Sequence, residues 1–215
     1  MMGLAVAAQP PPLGMSIELA LTTGMRQGEV CALRWSDLGD DGTVTVSHAL
    51  GNAESGFCLK ESKTQSSRRT IPLTRHIRQA LRDMRAESIR KIAAFGLSGD
   101  PFVLGTQEPD SRSYNPTQIG KDFAAFCKMN GFRCTFHDLR NTFATMMIAA
   151  GTDVRTVASH LGHASISMTL NIYADVDPDA KKAVVSKVND CFDVDMTAAS
   201  PIECDLFGNE PAPQP

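Results

Sequence analysis

Residues 23–35 read Thr-Gly-Met-Arg-Gln-Gly-Glu-Val-Cys-Ala-Leu-Arg-Trp, and they join two predicted helices. The apolar pattern before Gly24 predicts a helix that this glycine ends, and a second short helix begins at about Gln27. Arg26 therefore stands at the start of a helix, where backbone N–H groups and the helix dipole favour an anion. Taken alone, an arginine at such a position is more often a cap or an ion-pair partner, for instance of Glu29.

The rest of the chain predicts a mainly α fold with one small antiparallel sheet. Residues 43–47 read Thr-Val-Thr-Val-Ser and alternate as a strand does. Two more strands are indicated at 57–60 and 69–73, which gives a three-stranded sheet with Lys63 at the tip of the hairpin between them. Helices are predicted at about 15–24, 27–34, 74–94, 116–129, 137–150, 153–160, 165–173 and 178–188.

These elements predict one domain, residues 13–190, between two tails. Residues 1–12 form a proline-containing extension, and residues 191–215 form an acidic tail with the composition of a disordered segment. Hydrophobic residues make up 42% of the chain and charged residues 21%, which is typical of a globular protein. No apolar run is long enough to cross a membrane. The six scattered cysteines include no Cys-x-x-Cys pair, so we expect a reduced, cytoplasmic protein.

The net charge of −3 conceals an uneven distribution. Between Lys60 and Lys91 there are ten Lys or Arg and three acids, whereas the chain from Val188 onward has six acids and no Lys or Arg. A basic block of this kind is typical of a nucleic-acid partner, although it also occurs on helices that are simply solvated. Within the predicted helix at 74–94, arginines three or four positions apart share one face, namely Arg75, Arg78, Arg82 and Arg85.

Two further segments combine residue types that handle phosphate chemistry. His137 and Arg140 lie three positions apart on a predicted helix, so both side chains can reach one small anion. The fork of an arginine matches phosphate oxygens, and a histidine can donate a hydrogen bond or a proton. Residues 160–173 read His-Leu-Gly-His-Ala-Ser-Ile-Ser-Met-Thr-Leu-Asn-Ile-Tyr. The hydroxyl of Tyr173 can act as a covalent nucleophile when nearby cations favour its oxyanion.

Together these segments resemble the tyrosine recombinases, the family of phage integrases and related site-specific recombinases. Residues 23–35 resemble the family's first arginine box, and Lys63-Thr with Arg-Thr-Ile-Pro-Leu at 69–73 resembles its hairpin lysine segment. His-Asp-Leu-Arg at 137–140 resembles its His-x-x-Arg box, and Leu-Gly-His at 161–163 before Tyr173 resembles its closing motif. The resemblance extends over about 14–188 and implies the catalytic-domain fold of these DNA breaking and rejoining enzymes.

The resemblance also implies a catalytic mechanism. Tyr173 would attack a DNA phosphodiester to give a 3′-phosphotyrosine bond and a free 5′-hydroxyl. Arg26 and Arg140 would clamp the non-bridging oxygens and stabilise charge on phosphorus. Because the covalent intermediate retains the bond energy, neither ATP nor a metal ion would be needed, and no cofactor is expected.

The remaining catalytic residues implied by the resemblance move or hold protons. His137 would assist proton transfer from the tyrosine, His163 would hydrogen-bond the scissile phosphate, and Lys63 would protonate the leaving 5′-oxygen. The expected partner is double-stranded DNA. The protein is expected to be a monomer when alone and a tetramer on recombining DNA sites, and to be found in the cytoplasm, associated with the nucleoid. Expected DNA contacts come from the basic block, namely Arg68, Arg69, Arg75, Arg78 and Arg82.

Two departures from the family pattern keep alternatives open. An N-terminal core-binding domain is not seen in this sequence, and the acidic tail is unusual for a DNA-binding protein. The chain could therefore be a non-catalytic DNA-binding module with helix-turn-helix character, or an inactive remnant of an integrase. A type IB topoisomerase shares the chemistry, but the Leu-Gly-His box favours the recombinases.

Overall fold

The computed structural model describes residues 11–53, 56–61, 68–95, 100–105 and 113–163, together with Ser165, Ser167 and Thr169. The chain divides into two compact units, 1–175 and 176–215, and all the described residues lie in the first. This unit is mainly helical with small antiparallel sheets, as predicted. The predicted helix at 178–188 and the acidic tail lie outside the described residues. Among those that are described, no helix is long and apolar enough to cross a membrane.

Among the described residues, six helices lie close to their predicted positions, and a short 3₁₀ turn that was not predicted spans Trp35–Asp37. The first helix begins earlier than expected, within the segment predicted as an extension, because Pro11 and Pro12 need no backbone hydrogen bond in a first turn. The helices are α1 Pro11–Thr23, α2 Gln27–Ala32, α3 Arg75–Phe95, α4 Pro116–Asn130, α5 Phe136–Ala149 and α6 Val154–Leu161.

The strands differ in number and pairing from the three-stranded sheet predicted. Four strands form two antiparallel pairs, β1 Thr43–Val46 with β4 Arg69–Pro72 and β2 His48–Ala53 with β3 Gly56–Glu61. The prediction missed β2 because its sequence, His-Ala-Leu-Gly-Asn-Ala, lacks β-branched residues. The pairing of β1 with β4 buries Val44, Val46 and Ile71 on one face, and this burial decides the register.

The helix α1 lies at the centre of the core. It packs against α2, α4 and α5, and Ile17, Leu19 and Ala20 are fully buried. A smaller apolar cluster joins α5 to α6, and it is formed by Phe143, Ala144, Val157 and Leu161. The end of α1 therefore lies beside the contact between α5 and α6, where three of the predicted active-site residues, Arg26, Arg140 and His163, lie near one another.

Candidate active site

A glycine turn brings the chain after α1 against α5 and α6. Gly24 has φ +66°, and a Cβ atom there would lie 2.6 Å from Leu161 Cδ2 and 2.7 Å from Phe143 Cδ1. Any larger residue would therefore be strained and would also clash with both side chains. Nε2 of His160 lies 3.2 Å from the carbonyl oxygen of Thr23, and the His160 ring stacks on Phe143. These contacts fix the turn that leads into α2.

Arg140 is buried beneath this turn and joins it to the end of α6. The residue is 1% exposed, and its guanidinium donates to the carbonyl oxygens of Gly24 at 2.5 Å and Leu161 at 2.7 Å. The Leu161 carbonyl lies in the last turn of its helix, where carbonyls lack helical partners. A guanidinium has five N–H groups, and these two bonds occupy two of them and fix its plane.

Arg26 approaches the same stretch of backbone from α2. Its Nη2 lies 3.3 Å from the carbonyl oxygen of Gly162, next to the residue that Arg140 binds. Its Nη1 donates to Glu29 at 2.9 Å, and its backbone N–H donates to the same carboxylate at 2.8 Å. Arg26 is thus both the cap and the ion-pair partner that the sequence allowed, and it also reaches the backbone beside Arg140.

Arg69 belongs to the same cluster rather than to an exposed DNA-binding surface. Its guanidinium binds both carboxylate oxygens of Glu29, at 3.1 and 2.8 Å, and its side chain is only 7% exposed. The predicted contact of Arg69 with DNA stays a prediction, but the side chain is not part of an exposed basic surface. Burial acts to raise the pKa of Glu29, but the hydrogen bonds and charges of Arg69 and Arg26 outweigh it and lower that pKa. The carboxylate is therefore ionised at neutral pH.

Three arginines lie around one carboxylate among the described residues. Arg26 and Arg69 form ion pairs with Glu29, and the charge of Arg140 also interacts with this carboxylate. Burial first, and then repulsion from Arg26 and Arg69, lowers the pKa of Arg140 to about 9, although attraction to Glu29 acts in the opposite direction. Arg140 is therefore charged at neutral pH but lacks full compensation, and a bound anion would supply it.

The half-buried imidazole of His163 lies beside the arginines. Its Nδ1 is 2.7 Å from Oγ1 of Thr169. Burial lowers the pKa of His163 to about 4, and the positive charges of Arg140, Arg26 and Arg69 act in the same direction. The ring is therefore neutral at pH 7 and carries a single proton, so one nitrogen can donate a hydrogen bond and the other can accept one.

His137 lies at the solvent-facing edge of this site. It is exposed in the first turn of α5, three residues before Arg140. Asp138 fixes that turn by accepting hydrogen bonds from the backbone N–H and hydroxyl of Thr135, each at 2.7 Å. The helix therefore presents a buried arginine and an exposed histidine on neighbouring positions of one end.

Lys63 and Tyr173 lie outside the described residues, and so their predicted roles stay predictions. The predicted hairpin of strands 57–60 and 69–73 is wrong, because among the described residues β3 pairs with β2 and β4 pairs with β1. Strand β4 begins at Arg69, which is bound to Glu29.

Comparison with known proteins identifies the family. The model of the phage integrase family matches residues 7–179. The chain belongs to this family. Among the described residues of this phage integrase family member, no group of three or more His, Cys, Asp or Glu is placed to hold a metal ion.

Relatives of this family member include recombinases and a transposase. Tyrosine recombinase XerC of Xanthomonas axonopodis pv. citri (strain 306) is 32% identical over 173 residues, 77% of this chain and 48% of the relative. The transposase of transposon Tn916 from Enterococcus faecalis is 29% identical over 180 residues, 80% of this chain and 44% of the relative. This chain spans about half the length of the curated relatives it matches.

Solved structures give the same fold. The Tn1549 transposon integrase in complex with transposon right end DNA aligns with a TM-score of 0.65 at 26% identity, over 86% of this chain and 62% of that chain. XerA recombinase aligns with a TM-score of 0.62 at 20% identity, over 87% of this chain and 60% of that chain, which supports the fold.

The integrase-family site includes residues that the sequence did not single out. Glu29 entered only as a possible partner of Arg26, although a Glu three residues after a helix start is the pattern of a capping box. Its pairing with Arg69 has no local signal, because the two residues are 40 positions apart. Thr169 was missed altogether, because the hydroxyl of a threonine in a helix is usually expected to hydrogen-bond to a backbone carbonyl of the same helix.

The neutral state of His163 gives a prediction for stability. Between pH 6.5 and 4 the unfolded chain protonates this imidazole while the folded chain does not, so the free energy of unfolding should fall as the pH falls. His163→Gln should have a shallower pH dependence in that window, as measured by urea unfolding at several pH values. The carboxylates titrate in both proteins and cancel from the comparison. Parallel pH profiles for the two proteins would contradict the assignment.

Proposed function

We propose that this phage integrase family member cuts and rejoins double-stranded DNA by tyrosine chemistry, as a site-specific recombinase that integrates or excises a mobile element. The observation that supports it most is the arginine cluster, in which Arg26, Arg69 and the buried Arg140 lie around the carboxylate of Glu29. Guanidinium groups held by backbone carbonyls form a fixed site for a phosphate diester.

In the proposed reaction, the arginines stabilise the transition state. Arg140 has three N–H groups left after binding Gly24 and Leu161, and Arg26 is 38% exposed, so both can donate to the non-bridging oxygens of a phosphate. Negative charge on these oxygens grows as the phosphorus becomes pentacoordinate. Donors fixed in advance stabilise that charge without reorganisation.

The bond changes and proton transfers of the proposed reaction use Tyr173, His137 and Lys63. The oxygen of Tyr173 attacks phosphorus, the bond from phosphorus to the 5′-oxygen breaks, and a 3′-phosphotyrosine and a free 5′-hydroxyl result. His137 receives the tyrosine proton, and Lys63 gives a proton to the 5′-oxygen. Attack by another strand's 5′-hydroxyl reverses these steps, so ATP and metal ions are not consumed. His163 donates to the phosphate through its neutral imidazole.

The DNA partner is proposed from the charges of the surface and from the comparison. The Tn1549 integrase was solved in complex with DNA. In this chain, Arg68, Arg75 and Arg82 are exposed near the β4–α3 junction, whereas Arg78 is half-buried and its Cδ lies over Gly42. We propose that the exposed arginines contact the DNA backbone. We also propose that the protein is a monomer when alone and a tetramer on two recombining sites.

The salt dependence of DNA binding tests this surface. Arg75→Ala with Arg82→Ala should weaken binding and lower the slope of log affinity against log salt by about 0.9 for each DNA phosphate that an arginine no longer neutralises. The charge-matched control is Lys121→Ala with Lys128→Ala, which removes two exposed cations from α4. Fluorescence anisotropy with a labelled duplex measures both. Equal slopes for the two double variants would place the DNA elsewhere.

The experiment that tests the proposed reaction is covalent trapping. The probe is a pool of nicked duplexes with randomised sequence around the nick, in which cleavage releases a fragment of a few nucleotides that diffuses away. Detergent-resistant protein–DNA adducts should accumulate, and a chelator should not reduce them. DNA binding without any adduct would favour a non-catalytic module.

A further inference from the structure

A hydroxyl that water does not reach holds one nitrogen of the His163 imidazole. Nδ1 lies 2.7 Å from Oγ1 of Thr169, which is 0% exposed. In the other described helices, the hydroxyls of Thr22, Thr23 and Thr142 donate to the carbonyl four residues earlier, as is usual for threonine in helices. The hydroxyl of Thr169 lies against the imidazole instead. This contact therefore bears on which nitrogen of the His163 ring carries the proton.

The direction of this hydrogen bond decides what the ring offers to a ligand. A neutral imidazole has one proton, and its two nitrogens have opposite roles. If the hydroxyl donates to Nδ1, the proton resides on Nε2, and Nε2–H is a hydrogen-bond donor. If the hydroxyl accepts from Nδ1–H, Nε2 presents a lone pair. Phosphate oxygens accept hydrogen bonds, so only the first arrangement binds them.

The surroundings keep the ring in the neutral state that this choice requires. Arg140, Arg26 and Arg69 all disfavour a positive charge on His163, and burial acts in the same direction. A charged imidazole would donate from both nitrogens and would have no tautomer to select. Because the ring is neutral, the partner of Nδ1 decides whether Nε2 attracts or repels a phosphate.

We propose that Thr169 is a positioning residue whose hydroxyl donates to Nδ1 of His163 and holds the proton on Nε2, where it is available to the scissile phosphate. The proposal rests on the proposed function of the site, since the phosphate is the ligand that makes the tautomer matter. Thr169 itself is fully buried and touches the reaction only through His163.

The tautomer can be measured in the 215-residue protein without DNA. Protein labelled with ¹⁵N-histidine is recorded at pH 7 in two-bond ¹H–¹⁵N correlation spectra, which distinguish protonated from unprotonated ring nitrogens, and His163→Gln identifies the resonances. Wild type and Thr169→Ser should carry the proton on Nε2. Thr169→Val and Thr169→Ala, which lack the hydroxyl, should lose that preference. A wild-type proton on Nδ1, or a preference unchanged in both hydroxyl-free variants, would overturn the proposal.

A second measurement links the tautomer to the reaction. Adduct formation on the nicked duplex pool should slow about 10- to 100-fold in Thr169→Val, the usual range for a group that orients an active-site ligand. Thr169→Ser should remain close to wild type, and DNA affinity should change little in either variant. Equal adduct rates for the Val and Ser variants would contradict the proposal. A wild type with the expected tautomer but no adduct would support the positioning and contradict the proposed function instead.

Discussion

Arg140→Lys is expected to slow adduct formation about 10²- to 10³-fold, the scale of losing a fixed donor to transition-state charge. Lysine keeps the positive charge, but its ammonium cannot hold the Gly24 and Leu161 carbonyls and still offer a planar fork to a phosphate. The loss should appear in the rate at saturating protein, measured with the nicked duplex pool, while the affinity for uncleaved DNA changes much less. A rate within a fewfold of wild type would show that Arg140 is structural only.

The same substitution should reduce stability, and this effect must be separated from catalysis. A buried carbonyl that loses its hydrogen-bond donor lowers the free energy of unfolding by about 1–3 kcal/mol. Arg140 is the donor to two such carbonyls, those of Gly24 and Leu161. Urea unfolding of the variant gives that loss directly, and assays are then run where both proteins are folded. Arg155→Lys is the matched control, because Arg155 is an exposed arginine on α6, the helix whose end Arg140 binds. It should change neither the adduct rate nor the stability.

Tyr173→Phe is expected to abolish adduct formation and to leave DNA binding nearly intact. Only one hydroxyl is removed, and no other group can accept the phosphoryl bond at that position. Adducts are scored on denaturing gels at protein concentrations that saturate the labelled DNA for both proteins, so a difference in affinity cannot explain the result. Full adduct formation by the variant would show that the nucleophile lies elsewhere.

The second tyrosine of the chain supplies the matched control. The hydroxyl of Tyr114 lies 3.4 Å from Asp122, and burial together with that carboxylate raises the pKa of Tyr114. A phenol in this environment forms its oxyanion less readily than usual and is a poor nucleophile. Tyr114→Phe should therefore form adducts at the wild-type rate.

The helices and the order of the active-site boxes could be predicted from sequence because their signals are local. Gly24 ends α1 with a positive φ, as its position after an apolar run indicated. The strands were predicted less well. Strand β2 has a weak propensity and forms by pairing with β3, so neither its existence nor its pairing could be read from a short window.

The charged cluster was only partly predictable because it depends on contacts between distant segments. Arg26 and Arg140 were candidates by residue type, whereas the burial of Arg69 against Glu29 could not be inferred from its place in a basic block. Most side chains in a block of charged residues lie on the surface, but a single arginine of the block can be buried when it pairs with a buried carboxylate. Glu29 is that carboxylate, and only the fold places it beside Arg69.

The proposed function predicts a covalent bond between DNA and the oxygen of Tyr173, and peptide mass spectrometry tests this most directly. The chain is incubated with the nicked duplex pool, denatured, and digested with protease and nuclease, and the tyrosine peptides are sequenced by fragmentation. A nucleotide adduct should be found on the peptide that contains Tyr173, while the peptide that contains Tyr114 remains unmodified. An adduct on another residue, or none on protein that demonstrably binds the DNA, would contradict the account.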